Sequence, residues 1–173
     1  MKLNKRCNLS NFTIIDNFLN VKLFDNLSKL FMGNDINWHY NRSVNGFDLS
    51  SEENLNDFQF THTIFKDHII YSQAFTHLEP ILKLLDVKSL IRIKANLTTK
   101  TDVIYEHGMH VDTIYDCHGA IMYINTNNGY TKIGEEKVQS VANRLVRLNP
   151  RIPHTGSTST DSQTRVVLNF NFF

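Results

Sequence analysis

The amino-acid sequence predicts an α+β fold in which helices back an antiparallel β-barrel. Two observations predict it. Apolar residues at helical spacing are concentrated before residue 86, and from Val103 to Phe173 the chain breaks into short strand-like runs between turn residues. Helices first and strands after is the order expected when helices gather on one side of an antiparallel sheet. At 173 residues the chain has the length of one domain, 1–173, with helical support mainly over 16–86 and a strand-rich core over about 89–173.

Each element follows from its local pattern. Residues 11–15, Asn-Phe-Thr-Ile-Ile, read as a short strand, and Asp16 as the N-cap of the first helix. From Asn17 to Met32, Phe18, Leu19, Leu23, Phe24, Leu27, Leu30 and Phe31 recur at three and four, as on an amphipathic helix, with Gly33 as its stop. Ile36 to Tyr40 reads as a strand carrying the lone Trp38. Asn41–Asp57 is polar and too long for an ordinary connection, so a lid over the barrel mouth stands beside a plain surface loop. Phe58 to Phe65 alternates as a strand. Tyr71 to Asp86 reads as a second helix, whose first turn Pro80 makes uncertain. Ser89 to Leu97 is a strand and Thr98 to Asp102 a turn. Beyond it, Asn127-Asn-Gly129 and Pro150-Arg-Ile-Pro153 are the clearest breaks. Asn143-Arg144 is expected in a turn, and Gly129 in a backbone conformation closed to other residues.

Composition narrows the function classes. The net charge of +1 gives no reason to expect nucleic acid as a partner. A hydrophobic fraction of 41% supports a sizeable core, and a mean hydropathy of −0.29 argues for a soluble chain. No run approaches the roughly 20 apolar residues of a membrane helix. The basic start has no apolar run behind it, so no signal peptide is expected. Cys7 and Cys117 are too few for a disulfide framework, and a reducing cytoplasm is the expected setting.

The chemistry is concentrated in Glu106-His-Gly-Met-His110-Val-Asp112-Thr113. A strand places residues two apart on one face, so His110 and Asp112 can point an imidazole and a carboxylate at one centre. His154 follows 42 residues after Asp112, a gap long enough for several short strands, and Arg165 eleven residues later opens the run to Phe173. Two histidines and one carboxylate make the facial triad of non-haem iron(II) oxygenases, which leaves positions open for substrate and oxygen. His107 has the opposite strand parity and is expected to face away; His118 is the other spare histidine. Arg165 carries the fork that grips a carboxylate with two bonds, and Asn169 shares its face. A solubilising arginine on an edge strand is the alternative.

The ordered set His110-x-Asp112, His154, Arg165 resembles the 2-oxoglutarate and iron(II)-dependent dioxygenases, and most of all the prolyl 4-hydroxylase-like branch with its small phage-encoded members. The resemblance covers roughly 90–173. It includes Ala120–Asn125, Asn143–Val146 and Asn128-Gly-Tyr-Thr131, where Tyr130 replaces a second glycine of the family pattern.

The resemblance implies a double-stranded β-helix, the cupin-like jelly roll. It implies that His110, Asp112 and His154 are the catalytic metal ligands for Fe(II). It implies 2-oxoglutarate as cosubstrate, with Arg165 and Tyr123 on its distal carboxylate and ascorbate as a supporting reductant. A further contact is expected near Asn96 or Leu97, where the family often has a tyrosine. The implied reaction hydroxylates a C–H bond of a substrate, a peptidyl proline or another amino-acid residue, and releases succinate and CO2. A peptide, protein or small molecule is the expected partner, in the host cytoplasm if the chain is phage-encoded. Oligomeric state and prime substrate stay open. So do two other readings: a non-catalytic metal-binding jelly-roll module, and a cupin-type metalloenzyme that does not use 2-oxoglutarate.

Overall fold

The computed structural model describes residues 12–44 and 55–173. Most of the Asn41–Asp57 stretch, and with it the lid reading, therefore lies outside the described residues, as does Cys7. The elements run β1 (Phe12–Ile15), α1 (Val21–Met32), β2 (His39–Asn41), β3 (Gln59–Lys66), β4 (Ile69–Ile70), α2 (Phe75–Leu84), β5 (Leu90–Thr99), β6 (His118–Tyr123), β7 (Tyr130–Ile133), β8 (Glu136–Gln139), β9 (Leu145–Leu148), β10 (His154–Gly156) and β11 (Thr164–Phe172).

Among the described residues two antiparallel sheets form. The larger has the order β1-β9-β6-β11-β5-β3-β2, with β4 beside β3, and the smaller has β10-β7-β8. This is the jelly-roll arrangement expected, with both helices on one side.

The pleat of the large sheet separates two kinds of interior. From β11, Val166, Leu168, Phe170 and Phe172 enter a core shared with Leu27 and Phe31 of α1 and Leu78 and Ile81 of α2. From β6, Ala120 and Met122 enter the same core. The intervening residues Ile121, Tyr123 and Val167 turn the other way, where a second cluster forms with Ile133, Val138 and Val146. Burying a Leu, Ile or Phe side chain contributes about 1.5–3 kcal/mol, so the helix side carries most of the hydrophobic stabilisation.

Several local expectations need correcting. α1 begins at Val21, and its N-cap is Asn20, whose side chain accepts from the Leu23 amide. Asp16 instead pairs with Arg144. Pro80 lies inside α2, and the first turn ahead of it is tight: Phe75, Thr76 and His77 donate to the carbonyls of Ser72, Gln73 and Ala74. Those three-residue spacings are the tighter helical form common at helix ends. β5 continues through Thr99, so Thr98 is a strand residue and not part of a turn.

Asn143 does sit in a turn, with φ of 62°. Its side chain accepts from the Leu19 amide and donates to the Leu19 carbonyl, both buried bonds, so one residue ties the entry of α1 to the barrel. Gly129 is constrained by space and not by φ. A Cβ there would lie 2.7 Å from Arg165 Cδ and 2.8 Å from both Asn127 Oδ1 and the Thr158 carbonyl oxygen.

Candidate active site

The polar face of the large sheet, across from the small sheet, carries the site. His110 and His154 face each other through a two-bond backbone bridge, each amide donating to the other's carbonyl. The Asp112 amide donates to the Pro150 carbonyl. The segment holding His110 and Asp112 is thus docked on β10 and its approach but is not a regular strand. His110 Nε2 lies 3.9 Å from Asp112 Oδ1, and His154 Nε2 lies 3.7 Å from Asp112 Oδ2. One ligand atom from each of the three lies within 4.8 Å of the others.

The hydrogen bonds prepare these side chains to bind a cation. His154 Nδ1 is 2.8 Å from the Ile152 carbonyl, so that nitrogen carries the proton and Nε2 offers its lone pair to the cavity. Burial, with His154 beside it, holds the His110 pKa below its usual value and favours the neutral ring. Burial alone would raise the Asp112 pKa; the nearby Arg92, the two histidines and Asn171 outweigh it and keep the carboxyl below the usual range. Arg92 Nη2 donates to Asp112 Oδ1 at 2.8 Å, and Asn171 Nδ2 to Oδ2 at 3.3 Å. Two imidazoles and one carboxylate are a donor set suited to a divalent first-row metal.

At the far end of the same cavity lies Arg165. It is 4% exposed and sits on β11, flanked on both sides by β5 and β6, so the edge-strand alternative is excluded. Its Nε donates to Ser140 Oγ at 2.7 Å and its Nη2 to Thr131 Oγ1 at 2.9 Å. Among the described residues it has no carboxylate partner. Burial pulls its pKa down, yet the group stays cationic.

Around it, the Tyr123 hydroxyl, Thr98 Oγ1, Asn96 Oδ1 and His107 Nε2 are buried without a hydrogen-bond partner among the described residues. Arg165 and Thr131 lie near the Tyr123 hydroxyl, and burial pushes its pKa up. An unpaired buried polar group costs about 1–3 kcal/mol, so four beside a lone guanidinium describe a cradle for an anionic, hydrogen-bonding ligand. The residues therefore fit both a divalent metal and a dicarboxylate.

Asn169 also lines the cavity. His107 does not face away. It is buried, lines the cavity, and sets its Nδ1 3.1 Å from Asp57 Oδ1. The parity argument failed because Gly108-Met109 is irregular backbone. Tyr130, the departure from the family pattern, donates its hydroxyl to Glu106 Oε2 at 2.8 Å and stays outside this cavity. Cys117 is buried and free, and burial raises its thiol pKa, which disfavours the reactive thiolate.

Arg92, Lys94, Thr98 and Asn171 were missed by sequence reasoning. Their signal was present: Arg92, Lys94, Asn96 and Thr98 alternate with Ile93, Ala95 and Leu97, and Asn171 shares parity with Arg165 and Asn169.

No protein-family model and no curated protein matches the chain. Solved structures do. A prolyl hydroxylase of Trichoplax adhaerens, in complex with a hypoxia inducible factor peptide, is 16% identical over 95% of this chain and 84% of its own, with a TM-score of 0.62. A Pseudomonas putida prolyl-4-hydroxylase is 16% identical over 94% and 91%, with a TM-score of 0.59. The fold is that of the 2-oxoglutarate and iron(II)-dependent oxygenases. HygX of Streptomyces hygroscopicus, with nickel, 2-oxoglutarate and hygromycin B bound, shares this oxygenase fold at 12% identity over 94% and 82%, with a TM-score of 0.57. Among the described residues no helix is long and apolar enough to cross a membrane.

Proposed function

We propose that this chain is an Fe(II)- and 2-oxoglutarate-dependent dioxygenase, acting as a single domain, that hydroxylates a C–H bond of its substrate and releases succinate and CO2. The observation that carries the reading is one cavity with a His-Asp-His triad at one end and a buried, carboxylate-free arginine at the other. A peptidyl proline or another amino-acid residue is the first candidate substrate, supported by the peptide in the Trichoplax adhaerens complex.

His110, Asp112 and His154 would hold the iron, and Arg165 with Tyr123 and Asn169 the cosubstrate. When bound, the metal and 2-oxoglutarate supply the oxidising chemistry. The chain supplies the rest. Arg92 and Asn171 keep the Asp112 carboxylate ionised and oriented. Ser140 and Thr131 aim the Arg165 guanidinium. Ile121 and Val167 line the cavity with apolar surface, backed by Tyr123 and Val138 of the same buried cluster.

The test is succinate release from protein loaded with Fe(II) in nitrogen and then exposed to oxygen and 2-oxoglutarate. Slow succinate formation without prime substrate is expected, and His110→Ala should abolish it. Arg165→Ala should weaken 2-oxoglutarate by tens-fold or more, since breaking a buried charged pair costs about 2–5 kcal/mol. Metal retention with no response to 2-oxoglutarate would sink the proposal and leave a metal-binding module or a cupin-type metalloenzyme.

A further inference from the structure

The cavity contains a second cation that the proposed reaction leaves without a role. Lys94 lies on β5, on the face that lines the site. Pairing between β5 and β11 sets four rows along that face: Arg92 with Asn171, Lys94 with Asn169, Asn96 with Val167, Thr98 with Arg165. At roughly 3.3 Å per residue, the Lys94 row is about 13 Å along the strand from the Arg165 row. By the same measure it is about 7 Å from the row that grips Asp112. Lys94 therefore serves the metal end.

Its charge is not balanced there. Among the described residues its ammonium makes no hydrogen bond and no ion pair, and the nearby carboxylate of Asp112 is already taken by Arg92. Burial, with Arg92 close by, brings its pKa down to about 8, which leaves it mostly charged at neutral pH. A lysine facing a divalent metal across a cleft is repelled unless an anion lies between them. The neutral neighbours on this face, Asn96 and Asn169, supply no negative charge.

We propose that Lys94 anchors a carboxylate at the metal end of the cavity, distinct from the carboxylate held by Arg165. Two sources share this chemistry: the other carboxylate of the cosubstrate, and a carboxylate on the prime substrate. The proposal rests on the oxygenase reading for the metal, but not for the lysine.

The experiment uses the full chain loaded with Mn(II) under nitrogen, where no turnover intervenes. Calorimetry gives 2-oxoglutarate affinity for wild type, Lys94→Met, Lys94→Gln and Lys94→Arg, each shown to be folded by its thermal melt. In parallel, labelling of Lys94 by an amine-specific reagent is followed by peptide mass spectrometry. The probes are N-acetylated amino acids of several side-chain classes, each beside its neutral amide.

If the cosubstrate is the source, Met or Gln weakens 2-oxoglutarate at least ten-fold, Arg restores most of it, and 2-oxoglutarate alone shields Lys94. If the prime substrate is the source, 2-oxoglutarate affinity is unchanged and Lys94 stays reactive with it bound. At least one acetylated amino acid then slows labelling ten-fold while its amide does not. Unchanged affinity together with labelling indifferent to every carboxylate overturns the proposal. Wild-type protein that binds Mn(II) but no 2-oxoglutarate sinks the oxygenase reading instead, and the labelling experiment without cosubstrate then decides Lys94 by itself.

Discussion

Asp112 shows how much of a ligand residue's behaviour is set by its neighbours. Both its oxygens are gripped, one by Arg92 and one by Asn171. Removing such a supporting contact typically weakens metal by 10–100-fold. Arg92→Leu should do so in a metal titration, with the triad intact; unchanged affinity would assign Arg92 to packing. Lys94 supports a second prediction at this scale. Its pKa of about 8 in the fold is below the unfolded value of 10.5. Folding therefore disfavours its proton. The cost is complete below pH 8, fades between 8 and 10.5, and is absent above. Discounted for its partial exposure, it amounts to about 1–2 kcal/mol. Lys94→Met should melt higher than wild type at pH 7, and the gap should close toward pH 10.5. A gap independent of pH would trace to packing. At this scale the sequence was legible wherever the pleat was regular. Arg165 and Asn169 on β11 obeyed alternation, whereas His107 did not, because Gly108 and Met109 interrupt it.

Elements were legible by existence and type, less so at their ends. Asp16 lost the capping role to Asn20 because its carboxylate meets Arg144 across 128 residues of chain, a contact no local pattern reveals. The two glycines beside Arg165 make a graded test of how elements aim a side chain. At Gly156, on β10, an added Cβ would meet only the Arg165 guanidinium, at 3.2 Å. Gly156→Ala should weaken 2-oxoglutarate several-fold with little change in melting temperature. At Gly129 the same methyl collides with Arg165, Asn127 and the Thr158 backbone. Gly129→Ala should lose both affinity and stability. Calorimetry and thermal melts on the pair check this, and a Gly156→Ala protein that melts far lower would contradict it.

At the scale of the whole molecule, the cavity joins parts distant in sequence, so filling it should stabilise the fold. A ligand at 100 times its Kd adds about 2.7 kcal/mol, or roughly 5–10 °C for a chain of this size. Mn(II) with 2-oxoglutarate should raise the melting temperature by that amount, and His154→Ala should abolish the shift; an equal shift in the variant would place the ligands elsewhere. Helix-then-strand order disclosed the α+β class, but not that β11 would insert between β5 and β6, since strand partners are chosen by long-range packing. That insertion gives β11 a property of its own. Along Thr164–Phe172 every second residue belongs to the helix-backed oil and the others to the cavity side. The strand thus has a reading frame of two. A point substitution edits one letter, but deletion of a single residue N-terminal to the strand's centre would transpose Arg165 into the oil and a valine or leucine toward the metal. Drift in this family of shapes should therefore reject any odd change in the strand's length more sharply than a single replacement that keeps its face.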